Sequence, residues 1–102
     1  MVKVITDSKT ISISIKQHAD CQIQNLTYPT EIEIGEAFTI TYDCYNNGVT
    51  DTCYGELIDN ADNSVIQSWE DTIESATSKS ITINMVGRET AFSGTLNVGY
   101  IK

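Results

Sequence analysis

Hydrophobic and polar residues alternate with a period of two along most of the chain. The alternation is clearest in segments 10–16 and 37–45, where Ile, Phe, Tyr or Cys side chains take every second position. A period of two places these side chains on one face of a β-strand and the intervening residues, mostly Thr and Ser, on the other. No stretch of typical helix length shows the period of a helix. The pattern predicts an all-β protein.

Short segments with this strand pattern follow one another along the whole chain, separated by turn-forming residues. Their spacing of about 8–12 residues is typical of a β-sandwich or barrel. The first two are predicted to form an N-terminal hairpin or two separate strands, and the chain length indicates one domain. The predicted strands are 2–6, 10–16, 21–27, 31–34, 37–45, 52–59, 65–69, 80–85 and 95–101.

Four residues between positions 26 and 48 predict a corner of an antiparallel β-sandwich. Pro29 cannot donate to a strand ladder, so it ends or edges the strand before it. Gly35 permits the backbone conformation of a tight turn. Asn47 and Gly48 form a turn sequence after the strand 37–45. These residues are expected to shape the fold and to carry no chemistry.

Charge is segregated along the chain, whose net charge is −8. Residues 21–78 contain eleven acidic and no basic residues, whereas the segments before and after them are slightly basic. Phosphate binding requires a basic surface, so we expect no nucleic acid partner, and an anionic membrane surface is disfavoured for the same reason. No segment is apolar over the length of a transmembrane span, so no membrane insertion is expected.

Two interpretations of the acidic region stay open. It is either a solvated surface that maintains solubility or a surface that binds the basic ends of another copy in an assembly. In the second case the N-terminal strands would supply the contacts, because their isoleucines share one face. The candidate assembly residues are Lys3, Lys9, Lys16, Ile11, Ile13 and Ile15.

The three cysteines leave the disulfide pattern open. Cys44 and Cys53 lie on segments that flank one loop and are the candidate pair. A two-residue turn at Asn47 and Gly48 would place them diagonally on one face, about 7–8 Å apart, which is long for a bridge. A wider loop, or strands in opposite sheets, would bring them together. Cys21 is then expected to be a buried small apolar side chain.

Neither a metal site nor a catalytic set stands out. His18 and the three cysteines would supply four zinc ligands, but they lack the Cys-x-x-Cys spacing of structural zinc sites. The segment 59–64 lacks the glycine and the distant Glu of a calcium loop, and its Asx residues predict a hairpin turn. No nucleophile–base pair or phosphate loop is visible. We expect a protein that is not an enzyme and needs no cofactor.

Three runs of sequence resemble the CARDB-like, immunoglobulin-like β-sandwich modules. They carry the proline, the Gly-Glu-Ala-Phe sequence and the Asn-Asn-Gly corner of that pattern, and residues 94–101 resemble its last strand. The resemblance implies an immunoglobulin-like antiparallel β-sandwich of about seven to nine strands, with residues 21–102 as its core and residues 1–20 as an additional N-terminal strand or hairpin. The three runs are 24–29, 34–40 and 45–48.

Modules of this kind are repeated in bacterial and archaeal surface proteins and occur singly as small virion and appendage proteins. The resemblance implies a non-enzymatic structural protein, such as a virion decoration or appendage subunit, with protein partners in a homo-oligomer or larger assembly. The alternative is an adhesin-type or carbohydrate-binding module of a larger cell-surface protein. The first residues lack the apolar core of a signal peptide, and a virion or cell-surface location is expected. The N-terminal strands would either complete a neighbouring subunit's sheet or cover an edge of their own domain.

Overall fold

A computed structural model describes residues 2–102 of the chain. These residues form six β-strands and no helix. Most of the strands coincide with segments in which apolar and polar side chains alternate, as expected for strands with one buried face. The strands are β1 (Cys21–Thr27), β2 (Ala37–Asn46), β3 (Asp51–Asp59), β4 (Val65–Ile73), β5 (Thr77–Val86) and β6 (Gly94–Tyr100).

The six strands form two antiparallel sheets of three strands each. One sheet has the order β1-β2-β5 and the other the order β4-β3-β6. We call the end of the domain at which β1 and β3 begin the upper end, and the end at which they finish the lower end. Pairing of Cys21 with Asn46 and of Cys53 with Tyr100 shows that β2 and β6 run upward, opposite to β1 and β3.

The two sheets pack face to face around one apolar core. Along β2 every second side chain is buried from Ile40 onward, and β3 and β5 show the same alternation. The prediction that residues 38, 40, 42 and 44 share the inner face is confirmed. Ten buried apolar residues form the core: Ala19, Ile40, Tyr42, Cys44, Cys53, Leu57, Ile73, Ile81, Ile83 and Met85.

The predicted strands 2–6, 10–16 and 31–34 are absent. Residues 2–17 are extended and exposed, and they pair with no strand of the described chain. Their alternating pattern is that of a strand, but a strand also needs a neighbouring edge for its backbone N–H and C=O groups. Conversely, β4 continues to residue 73 and β5 begins at residue 77, although the sequence predicted no strand between residues 69 and 80.

The residues of the predicted corner lie in the connections of the sandwich. Pro29 follows the end of β1, and Gly35 has a φ of +79°, which a residue with a side chain rarely adopts. The Gly35 N–H donates to the Gly87 carbonyl at 2.9 Å, which ties the connection before β2 to the end of β5. Asn47 and Gly48 connect β2 to β3, which lie in opposite sheets, so they form a crossing between the sheets rather than a hairpin.

The molecule is elongated because of its N-terminal segment. Its extents along the principal axes are 84 × 28 × 21 Å. Ten residues of β-strand span about 33 Å, so the two sheets account for less than half of the longest dimension. The extended residues before β1 supply the remainder. The part of the chain that the structure describes contains no helix that would cross a membrane.

Candidate assembly interface

Residues 2–17 form an extended segment, here called the arm, that lies outside the sandwich. Its six large apolar side chains are 78–88% exposed. Within the arm, the Ser8 N–H donates to the Asp7 carboxylate, and no hydrogen bond to the two sheets is found among the described residues. All the candidate assembly residues lie in the arm: Lys3, Lys9, Lys16, Ile11, Ile13 and Ile15. These residues are already close in the sequence, and the described structure gives them no partner in the same chain.

The arm joins the sandwich at its upper end through residues 18–20. The His18 ring stacks on the Tyr100 ring of β6, with 4.3 Å between their centroids. Ala19 is buried in the core. A Cβ at position 48 would lie 2.6 Å from the Asp20 nitrogen and 2.7 Å from the His18 carbonyl oxygen, so this segment crosses directly over Gly48. Only glycine leaves enough room for the crossing, which explains why position 48 of the predicted corner is a glycine.

The side chain of Asn46 holds this crossing together. It is completely buried, and its amide donates to the carbonyls of Val49 and Ile73 at 2.7 and 2.8 Å. Its carbonyl oxygen accepts from the N–H groups of Asp20 and Gly48 at 3.0 and 2.9 Å. One side chain thus connects the base of the arm, the β2–β3 crossing and the end of β4. The sequence placed Asn46 in a turn, and only its position before Asn47 and Gly48 marked it.

The disulfide does not join Cys44 and Cys53, the candidate pair predicted from the sequence. Cys53 of β3 is bonded to Cys21, the first residue of β1, and Cys44 is a free, buried thiol. Cys44 lies on β2 beside Ile23 and one strand away from the bridge, whereas Cys21 faces Cys53 across the gap between the sheets. Burial raises the pKa of the Cys44 thiol, which disfavours its reactive thiolate. The bridge fixes the base of the arm to the opposite sheet.

The disulfide also removes the zinc hypothesis, because it takes two of the four side chains that would have bound the metal. Among residues 2–102, no three His, Cys, Asp or Glu side chains are placed to hold a metal ion. The segment 59–64 forms the hairpin turn between β3 and β4, as predicted. Its Asp59 and Asp62 carboxylates accept from the N–H groups of Ala61 and Ser64 within the turn.

A cleft opens on the side of the sandwich where β1 lies over β6. It has a volume of ≈ 960 Å³. Ile23 and Leu26 of β1 line one wall and remain 37% and 44% exposed. Leu96 of β6 and the connection 87–93 line the opposite wall, and core residues such as Ile40 and Leu57 lie between the walls. The cleft therefore exposes part of the apolar core to solvent.

On the opposite side of the sandwich, where β4 lies over β5, an ion pair connects the two sheets. The Lys79 ammonium of β5 donates to the Asp71 carboxylate of β4 at 3.0 Å. This hydrogen bond lowers the pKa of Asp71. Both groups are exposed, so the pair contributes little stability, but it places charged side chains along these two strands. Charged side chains on an edge strand hinder the addition of another strand.

An ion pair stabilises the lower end of the sandwich beside the cleft. The Arg88 guanidinium donates to the Asp59 carboxylate and lies over the Phe92 ring, 5.1 Å from its centroid. The hydrogen bond from Arg88, followed by one from the Ala61 N–H, holds the pKa of Asp59 below its usual range. Lys79 and Arg88 are thus both paired within the domain. The arm lysines form no salt bridge in the described part of the chain, so they remain available for contacts.

Tyr42 and Trp69 connect the two sheets near the middle of the core. The Trp69 indole N–H donates to the Tyr42 hydroxyl at 2.6 Å. Burial raises the pKa of the Tyr42 phenol, although the hydrogen bond from Trp69 opposes this shift. Gly55 of β3 leaves room for both side chains. The pair belongs to the packing of the core.

Comparisons of the chain with protein-family models, with curated proteins and with solved structures give no match.

Proposed function

We propose that this protein is a non-enzymatic structural subunit that assembles through protein–protein contacts, such as a virion decoration or appendage subunit. The observation that carries the proposal is the arm. Six large apolar side chains on an extended segment stay 78–88% exposed, and burial of each would stabilise a complex by about 1.5–3 kcal/mol. Burial of these apolar side chains would favour binding of the arm to another protein surface.

The charges of the molecule support assembly through the same segment. Residues 2–17 contain Lys3, Lys9 and Lys16 against Asp7, whereas every charged residue among residues 21–78 is acidic. The three lysines would lie against an acidic domain in an assembly of like copies. Attraction between opposite charges is screened by salt, so its contribution to assembly can be measured by comparing low and high salt.

We infer an immunoglobulin-like arrangement of the two sheets, in keeping with the resemblance to CARDB-like modules. The strand order supports it: β1, β2 and β5 take the positions of strands A, B and E, while β4, β3 and β6 take those of C′, C and F. In this assignment the strand that normally follows F, strand G, has no counterpart among the described residues. Its position would be beside β6.

The test is the mass and shape of the native protein at low and high salt, by light scattering and electron microscopy. We expect regular oligomers or filaments that loosen at high salt. A variant in which a Gly/Ser segment of equal length replaces residues 2–16 should be monomeric, with its disulfide intact. A protein that is monomeric under every condition would refute assembly and favour the alternative, an adhesin-type or carbohydrate-binding module.

A further inference from the structure

We propose that residues 10–16 of one copy add as a β-strand beside β6 of a second copy and fill the cleft between β1 and β6. The inference rests on the proposed assembly function and names its partner and its contact. The inserted strand would occupy the position of the absent strand G. Its tests below separate failure of this contact from failure of assembly as a whole.

Among the four edge strands, β6 is the one best suited to accept another strand. It pairs with β3 over seven consecutive residues without a register shift, and it contains no charged residue and no proline. Edge strands of monomeric proteins usually carry charged residues or proline, which hinder pairing with another strand. In contrast, β1 is interrupted by a register shift at Asn25, whose φ is +54°. The edges of β4 and β5 lie on the opposite side of the sandwich, with the charged pair of Lys79 and Asp71.

Residues 10–16 match this edge in length and in pattern. The segment has seven residues, as β6 has. Ile11, Ile13 and Ile15 share one face and are 79–83% exposed. On β6, Leu96 and Val98 point toward the core and are only half-buried. A strand added with its isoleucines on the same side would cover these residues and continue the apolar core into the cleft.

The direction of the strands favours a second copy over the arm of the same chain. His18 lies at the upper end against Tyr100, so Lys16 of the same chain would also lie at the upper end. Since β6 runs upward from Gly94 to Tyr100, the arm of the same chain would pair parallel to it. A second copy has no such restriction and adds in the antiparallel direction, whose pairing is slightly more stable.

Carboxylates near the two ends of β6 complement the lysines that flank the isoleucine segment. In the antiparallel arrangement Lys16 lies at the lower end, near Glu31 and Glu89, which line the cleft there. Lys9 lies at the upper end, where β1 and β3 begin beside Asp20 and Asp51. Both lysines therefore meet carboxylates.

The arrangement predicts an assembly with a direction. With Lys16 at the lower end of the acceptor, the donor's own sandwich lies below it, so the upper end of each copy meets the lower end of the next. A head-to-tail contact of this kind generates a ring or an open filament. The expected repeat is roughly 35 Å, the length of the ten-residue strands.

The first experiment compares two arm variants of the full chain that add the same charge on opposite faces. Ile13→Asp places a carboxylate in the cleft, and Ser12→Asp places one on the outer face. We expect Ile13→Asp to weaken association at least about 100-fold, and Ser12→Asp to change it by less than about threefold. Equal effects of the two variants in a protein that still assembles would refute strand addition while leaving the assembly function in place.

The second experiment tests partner and direction by disulfide cross-linking between variants that each carry one added cysteine and Cys44→Ala, keep the bond between Cys21 and Cys53, and are mixed after separate purification. Thr95→Cys marks the lower end of β6. In the antiparallel arrangement it should form cross-linked dimers with Lys16→Cys and not with Thr10→Cys. The reverse result would overturn the antiparallel direction. Cross-linking within one chain of the Thr10→Cys, Thr95→Cys double variant, with none between chains, would show that the arm folds back on its own domain and would refute the proposal.

Discussion

Replacement of Asn46 by alanine should destabilise the domain strongly, because this buried side chain satisfies four backbone groups. The carbonyl of Ile73 lies in the buried interior and loses its partner outright, at a cost of about 1–3 kcal/mol. The other three groups, on Asp20, Gly48 and Val49, are nearer to solvent, and each should cost about 0.5–1.5 kcal/mol. We expect a total loss of about 3–7 kcal/mol, a large fraction of the ~5–15 kcal/mol typical of a domain.

The measurement is urea denaturation followed by the fluorescence of Trp69, the single tryptophan. All variants should carry Ile13→Asp, so that association does not add to the free energy of unfolding. Asn47→Ala is the matched control, because its exposed side chain lies next in the sequence and only its backbone N–H is used, in a bond to Asp20. It should change stability by less than about 0.5 kcal/mol.

Asn46→Asp separates the two halves of this hydrogen-bond set. A carboxylate still accepts from the two N–H groups, but it faces the Val49 and Ile73 carbonyls without a proton to donate. It should therefore destabilise the domain at neutral pH and less so in acid, where the protonated group donates again. A loss below about 1 kcal/mol for Asn46→Ala would mean that the four bonds are replaced by water, and that Asn46 does not hold the crossing together.

Three further predictions concern the bridge, the ion pair and the crossing. Replacing both Cys21 and Cys53 by serine should lower the free energy of unfolding by about 3–4 kcal/mol in the chain-entropy model for their separation of 32 residues. Intact mass should place the native protein about 2 Da below its reduced form. An unchanged denaturation midpoint in the double variant would contradict the bridge. The ion pair with Arg88 lowers the pKa of the Asp59 carboxyl in the folded protein. The stabilisation by the ion pair is therefore present above the ordinary Asp pKa and is lost as the pH falls through the folded pKa. The difference in unfolding free energy between the native protein and Arg88→Met should shrink toward acid, and a difference independent of pH would refute this role of the ion pair. Gly48→Ala should cost about 1–3 kcal/mol in thermal denaturation, because its Cβ would clash with the base of the arm, whereas a neutral effect would contradict the close crossing.

Much of the strand pattern could be predicted from the sequence because it depends on neighbouring residues. Segment 21–27 was predicted with the bounds that β1 has, and segment 37–45 falls one residue short of the end of β2. The alternation of β2 also identified its buried face correctly. In each case the period of two states directly which side chains share a face. The same local rule gave a wrong result for 10–16, whose pattern is that of a strand but which pairs with no strand of the described chain.

The proposed assembly interface could be predicted only in part. The arm residues, such as Ile13 and Lys16, are candidates from the sequence because they combine an alternating pattern with basic charge. The cleft and the edge of β6 could not be identified, since an edge exists only once the strand order is known. Nothing in the sequence distinguishes β6 from a central strand.

The sequence by itself determined the all-β class, the faces of the main strands, the turn residues and the segregation of charge, since each depends on the order of residues along the chain. The tertiary structure decided which strands share a sheet, that Cys21 rather than Cys44 bonds to Cys53, and that Asn46 lies where three connections meet. These features join residues that are far apart in sequence. They depend on how the two sheets pack, and local periodicity carries no information about that packing.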